Sequence, residues 1–66
     1  MHQYYVNLSP QENGDYEVHK ENCVNLPSSR DYVGYFQTCE EAIKEAQKIY
    51  PQANGCKRCS SECHRG

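Results

Sequence analysis

Two short-spaced pairs of metal-binding residue types lie in the two halves of this 66-residue chain. Cys56 and Cys59 form a Cys-x-x-Cys pair directly after Gly55, and His19 and Cys23 form a His-x-x-x-Cys pair upstream. Two intervening residues let one tight turn present both thiolates to a single ion, and thiolates with imidazole are a ligand set that suits zinc. The spacing therefore predicts one structural, tetrahedral zinc site made of these four side chains.

Other ligand sets remain open from the residues alone. Cys59 and Cys63 lie four residues apart and would share one side of a C-terminal helical turn. Cys63 or His64 could therefore replace His19 as the fourth ligand. Redox enzymes also use Cys-x-x-Cys, but thioredoxin-like proteins place it after a strand in a βαβ unit, for which this chain is too short.

Three predicted strands, 4–8, 16–20 and 31–37, are rich in residues that favour β-structure. The Asn13-Gly14 turn signal between the first two predicts an antiparallel hairpin. Tyr4, Val6 and Leu8 would share one face of the first strand, while His19 is either an exposed strand residue or a metal ligand. Gly34 weakens the third strand and indicates a bulge.

One helix is predicted from Thr38 to about Tyr50. Thr38 and Glu41 fit a capping box, and Pro51 stops the helix. Cys39 lies on the apolar stripe, where a free thiol packs as a small hydrophobe; a reactive thiol at the helix N-terminus is the alternative. Residues 52–55 are predicted to turn the chain into the Cys-x-x-Cys pair. We therefore expect an α+β fold, with a three-stranded antiparallel sheet and one main helix.

Length and composition predict a single small domain over 1–66 that depends on its metal. The hydrophobic fraction is 36%, mean hydropathy is −1.03 and tryptophan is absent, so the core must be thin. The net charge of −2 argues against general nucleic-acid binding. The N-terminus has no basic start and no apolar run, and no stretch is long enough to span a membrane, so a cytoplasmic protein is expected.

The motif residues from His19 to Cys59 resemble the Ada-type metal-binding domain, the zinc-bearing N-terminal part of the DNA methyl-phosphotriester repair protein. The resemblance rests on the His-x-x-x-Cys pair, on Cys39-Glu40-Glu41-Ala42 opening a helix and on Gly55-Cys56-Lys57-Arg58-Cys59. It implies a zinc site and a small bacterial protein. The family uses four cysteines, and the first accepts a methyl group from DNA phosphate. Here His19 occupies that position, so the resemblance implies the metal without the repair activity.

Two functions of different classes are compatible with these residues. The first is a monomeric, non-enzymatic zinc domain without catalytic residues that binds an unidentified protein partner. The second is a thiol-reactive protein, in which a zinc-bound cysteine, or Cys39 with Cys63, performs redox or alkyl-acceptor chemistry. Nucleic-acid binding through Lys57, Arg58 and Arg65 is a weaker third possibility.

Overall fold

The computed structural model describes residues 1–65, which form one four-stranded sheet packed against one helix. The elements in chain order are β1 (His2–Asn7), β2 (Tyr16–Lys20), β3 (Arg30–Phe36), α1 (Cys39–Ala46), β4 (Ala53–Gly55) and a single 3₁₀ turn, Ser61–Cys63, called here the C-terminal turn. The α+β class is therefore confirmed. No helix in the described part of the chain is long and apolar enough to cross a membrane.

The sheet has four strands in the order β3-β1-β2-β4, so the prediction of three strands is wrong. β1 pairs antiparallel with β2 and with β3, whereas β4 pairs parallel with β2, which makes the sheet mixed. The fourth strand is Ala53-Asn54-Gly55, residue types that disfavour strands. Its conformation is imposed by the edge of β2, to which it adds in register, rather than by local preference.

The predicted hairpin of β1 and β2 is confirmed, and its register determines which side chains face the helix. Val6 lies opposite Val18, and both are buried on the helix side of the sheet. Tyr5 lies opposite His19, and since neighbouring residues of a strand alternate, both project from the other face. Leu8 was predicted to share one face of the strand with Tyr4 and Val6. That prediction is wrong, because Leu8 lies beyond the end of β1 and is 46% exposed.

Helix α1 begins as predicted and ends earlier. The Thr38 side chain accepts a hydrogen bond from the amide of Glu41, and the Glu41 carboxylate accepts from the Thr38 amide, which completes the capping box. The regular helix stops at Ala46, and turn-type hydrogen bonds carry the chain onward, so Ile49 is 70% exposed. The core between helix and sheet consists of Tyr4, Val6, Val18, Cys39, Ala42, Ile43, Ala46 and Ala53.

Cys39 packs in this core at 4% exposure, but it is not the free thiol that its position on the stripe predicts. It forms a disulfide with Cys63, and the two Cα atoms are 6.3 Å apart. The bond ties the start of α1 to the C-terminal turn. The predicted helical turn at the C-terminus is thus present, and it is attached to the helix.

The tail after the C-terminal turn covers the outer edge of β4. The Asn54 side chain accepts a hydrogen bond from the amide of Arg65 and donates one to its carbonyl. His64 Nδ1 lies 3.0 Å from the carbonyl oxygen of Gly55. A β-carbon on Gly55 would come within 2.8 Å of the Cys63 β-carbon, so only glycine permits the tail to pack this closely.

Candidate metal centre

The structure brings together the four residues that the spacing selected. His19, Cys23, Cys56 and Cys59 each offer a ligand atom, and these atoms all lie within 4.8 Å of one another. His19 comes from β2, Cys23 from the loop that follows it, and the cysteine pair from the segment after β4. The two halves of the site meet because β4 pairs with β2, which places Cys56 beside the end of the His19 strand.

Backbone hydrogen bonds fold both ligand loops. The amide of Cys23 donates to the carbonyl of Lys20, which turns the chain back immediately after β2. The amide of Cys56 donates to the carbonyl of Val18 and extends the parallel pairing by one residue. The amide of Ser60 donates to the carbonyl of Cys56, which closes the Cys-x-x-Cys turn. Main-chain hydrogen bonds therefore position both candidate ligand pairs, His19 with Cys23 and Cys56 with Cys59, in addition to side-chain packing.

Each of the three sulfur atoms accepts a hydrogen bond from a backbone amide. The donor–acceptor pairs are Lys20 N to Cys59 Sγ at 3.3 Å, Asn25 N to Cys23 Sγ at 3.4 Å and Arg58 N to Cys56 Sγ at 3.4 Å. Amide donors stabilise sulfur most when it carries negative charge. The turns are therefore built to hold thiolates, the form of cysteine that binds metal.

His19 is the buried polar group that lacks a partner. It is 1% exposed, and neither Nδ1 nor Nε2 forms a hydrogen bond. Within residues 1–65, every other buried side-chain nitrogen or oxygen atom has a hydrogen-bond partner. Glu17 Oε1 lies 3.5 Å from Nε2, beyond the usual range for an N–H···O hydrogen bond, and the two atoms do not form one. Burial lowers the pKa of His19, although the Glu17 charge opposes the shift. The imidazole is thus favoured in its neutral, metal-binding form.

The thiols cannot all ionise without a cation. Burial is the largest cause that raises the pKa of Cys59, to about 12. Burial also acts to raise the pKa of Cys56, but hydrogen bonds from the amides of Cys59 and Arg58 and from the neighbouring thiols outweigh it, so the net shift is downward. Sγ of Cys23 is only 3.8 Å from Sγ of Cys56. Negative charges this close require a positive partner, because like charges disfavour one another's ionisation.

The alternative ligands are engaged elsewhere. Cys63 is bonded to Cys39, and His64 contacts the carbonyl of Gly55, so neither joins the cluster. Cys39 is also absent from it, as predicted.

Two residues near the site were not identified from the sequence. Glu17 was detectable, since it is two residues before His19 and therefore on the same strand face. Ser60 is fully buried, with Oγ 3.8 Å from Sγ of Cys59, and no sequence pattern indicates this contact.

Comparison of the chain with models of protein families, with curated proteins and with solved structures finds no match.

Proposed function

We propose that the protein is a small zinc-binding domain whose ion is held by His19, Cys23, Cys56 and Cys59. The observation that carries the proposal is the buried His19 ring with two unpartnered nitrogens beside three amide-supported sulfurs. A buried polar group without a partner is costly, and a metal coordinated by one of the two ring nitrogens removes that nitrogen's share of the cost. One imidazole and three thiolates form a closed ligand set of the structural type.

The separations within the cluster favour zinc over a disulfide or a hard cation. Ligand sulfurs at ~2.3 Å from a tetrahedral zinc are about 3.8 Å apart, which is the distance between Sγ of Cys23 and Sγ of Cys56. Calcium and magnesium prefer oxygen ligands, so a sulfur-rich site does not suit them. Copper(I) and iron also bind thiolates, and they are the competing occupants that elemental analysis must distinguish.

The same ligands support a relationship to the Ada-type domain in metal binding, but not in repair. His19 stands where that family carries its methyl-accepting cysteine. An imidazole can coordinate zinc, yet it cannot act as the sacrificial thiolate. We therefore propose a non-enzymatic role, without catalytic residues, in which the ion stabilises the fold.

A protein partner is the second part of the proposal. The sheet face opposite α1 carries Tyr5 and Tyr32 with ring centroids 5.5 Å apart, and the Arg30 guanidinium carbon lies 5.2 Å from the Tyr5 ring centre. Tyrosine and arginine dominate the energetic centres of protein interfaces. The net charge of the chain, −2, favours a protein over a nucleic acid as the partner. A fluorescent single-stranded oligonucleotide titrated at low salt should therefore remain unbound.

The free protein is expected to be a monomer. The open edge of the sheet, β3, begins with Arg30 and Asp31, and its pairing with β1 is interrupted by a bulge near Gly34. Charges and bulges on an edge strand oppose edge-to-edge association. Light scattering coupled to size-exclusion chromatography should give the mass of one chain, 7.6 kDa.

A cytoplasmic location belongs to the proposal as well. Zinc–thiolate sites suit a reducing compartment, where disulfides are usually transient and involved in redox chemistry. The Cys39–Cys63 bond would then be one that forms and breaks during the life of the protein.

Elemental analysis of purified protein tests the metal assignment directly. We expect one zinc per chain, and loss of zinc in His19→Ala. His2→Ala is the matched control, because His2 is partly exposed and its side chain contacts Glu21 and Tyr4 rather than the four candidate ligands. A zinc-free wild-type protein, or an undiminished zinc content in His19→Ala, would contradict the assignment.

A further inference from the structure

The Cys39–Cys63 disulfide lies close to the candidate metal centre along the chain, because only three residues separate Cys63 from Cys59. Cys63 ends the C-terminal turn, and its amide donates to the carbonyl of Ser60. Ser60 in turn donates its amide to the carbonyl of Cys56 and places its hydroxyl 3.8 Å from Sγ of Cys59. Ser60, which contacts both Cys56 and Cys59, is therefore held in place by its hydrogen bond with Cys63, one of the two disulfide cysteines.

The disulfide also lies in a surface groove that a thiol can enter. The groove has a volume of about 470 Å³, and both Cys39 and Cys63 line it. Lys44 and Arg65 at its wall provide positive charge, while Glu40 and Glu62 balance them. Cys39 is buried and Cys63 is half-buried, so Cys63 is the more exposed residue of the pair.

We propose that Cys39–Cys63 is a thiol–disulfide exchange site for a dithiol reductant, and that its reduction weakens metal binding at the neighbouring centre. The inference rests on the zinc-binding function proposed above. The proposal sets this bond apart from an ordinary structural disulfide in two respects. Both of its residues line a surface groove, and its redox state would change the affinity of the neighbouring metal centre.

The exchange proceeds in two displacements. A thiolate of the dithiol attacks Sγ of Cys63, the Cys39–Cys63 bond breaks, and Cys39 leaves as a thiolate that takes up a proton. The second thiol of the reductant then loses its proton and attacks the reductant's first sulfur, which is bonded to Cys63 in the mixed disulfide. Cys63 leaves as a thiolate and is protonated. Two electrons and two protons pass from the dithiol to the protein, and the reductant leaves as a disulfide.

Reduction weakens the metal site because it releases the C-terminal turn. The bond closes a loop with a sequence separation of 24, which restricts the metal-free chain and keeps Ser60 over the Cys-x-x-Cys pair. Once it is cut, zinc binding must order the tail by itself, and we expect the zinc Kd to rise by at least ~10-fold. Linkage is reciprocal, so zinc must make the disulfide harder to reduce by the same factor, about 30 mV for each tenfold.

The test measures the zinc Kd in the two redox states by competition with a chromophoric chelator under anaerobic conditions. The oxidised protein should have three titratable thiols after denaturation, those of Cys23, Cys56 and Cys59, and the reduced protein five. A phosphine provides full reduction without introducing a competing thiol ligand. Dithiothreitol added to the folded zinc protein then tests the exchange itself, through the appearance of the two additional thiols.

The double variant Cys39→Ala, Cys63→Ala is the matched control. The double variant should bind zinc with the Kd of reduced wild-type protein, and addition of the phosphine should not change that Kd. Equal zinc Kd values in oxidised and reduced wild type, with one zinc bound in each, would overturn the inference and leave the zinc assignment intact. A disulfide that dithiothreitol cannot reduce in the folded protein would also overturn it. Absence of zinc binding in both states would instead show that the proposed function is wrong.

Discussion

Glu17 and His19 project from the same face of β2, with Oε1 of Glu17 3.5 Å from Nε2 of His19. Metal-binding histidines usually donate their second ring N–H to a carboxylate or carbonyl, which fixes the tautomer and orients the ring. Since Nε2 is the nitrogen beside Glu17, we expect Nδ1 to bind the metal. A small shift of the ring or of the carboxylate on metal binding would then let Nε2–H donate to Glu17.

Glu17→Gln should therefore weaken zinc binding without removing it. We expect a zinc Kd about 10- to 100-fold higher, the usual effect of removing an outer partner of a ligand. Competition with a chelator measures the change, and Glu12→Gln, in the exposed loop between β1 and β2, is the control. Long-range ¹H–¹⁵N spectra of His19 report the tautomer, and a proton on Nδ1 in the zinc protein would contradict this arrangement.

Acidification should release zinc and destabilise the fold. Burial holds the pKa of His19 in the fold below its ordinary value of 6.5. The unfolded chain then binds the proton more readily, so the His19 contribution is fully present above pH ~6.5 and is lost as the pH falls through the folded-state value. Protonation of the thiolates acts in the same direction. Zinc release followed by a chromophoric indicator should increase as the pH falls, and His2→Ala should leave the midpoint of release unchanged.

Removal of zinc from reduced protein should unfold it. In the proposed site the ion would join β2 and its loop to the segment after β4, two parts of the chain that are distant in sequence. Structural zinc contributes on the order of 10–16 kcal/mol, compared with roughly 5–15 kcal/mol of net stability for ordinary domains. We expect the amide dispersion of an NMR spectrum to collapse on chelation and to return with zinc. A well-dispersed spectrum of reduced, metal-free protein would show that the core suffices alone.

Gly55→Ala should displace the C-terminal turn. The added β-carbon would lie 2.8 Å from both the Cys63 β-carbon and the carbonyl oxygen of Ser60, and neither can rotate away. Overpacking of this kind costs about 1–3 kcal/mol of unfolding free energy. Chemical denaturation of the zinc protein measures the loss, with Ser61→Ala as an exposed control in the same turn. Unchanged stability in Gly55→Ala would mean that the tail does not pack on β4 as described.

The protein should not accept methyl groups from phosphotriester DNA. In the proposed Ada-type correspondence the position that would need the nucleophilic thiolate is His19, whose imidazole is buried in the candidate metal cluster. Mass spectrometry after incubation with methylated DNA should therefore find every cysteine unmodified. Methyl-cysteine at Cys23 or Cys56 would show that another ligand has taken over the nucleophilic role.

The elements that the sequence predicted correctly are those specified by neighbouring residues. The capping box at Thr38, the hairpin around Asn13-Gly14 and the two residue pairs that meet in the candidate metal cluster each depend on spacings of a few residues, which act before any tertiary contact forms. The choice of His19 as the fourth member of the cluster also followed from spacing, although the residues alone left Cys63 and His64 open.

Only the tertiary structure decided how these parts meet. Ala53-Asn54-Gly55 has no strand preference and becomes β4 because the edge of β2 offers unpaired hydrogen-bonding groups. The same pairing places Cys56 beside His19 and brings Cys63 back to Cys39, 24 residues away in sequence. Five cysteines allow many combinations of metal ligands and disulfides. The sequence determined the spacing within each candidate pair, His19 with Cys23 and Cys56 with Cys59. Long-range strand pairing determined which cysteines face each other, because sequence spacing carries no information about contacts between distant segments.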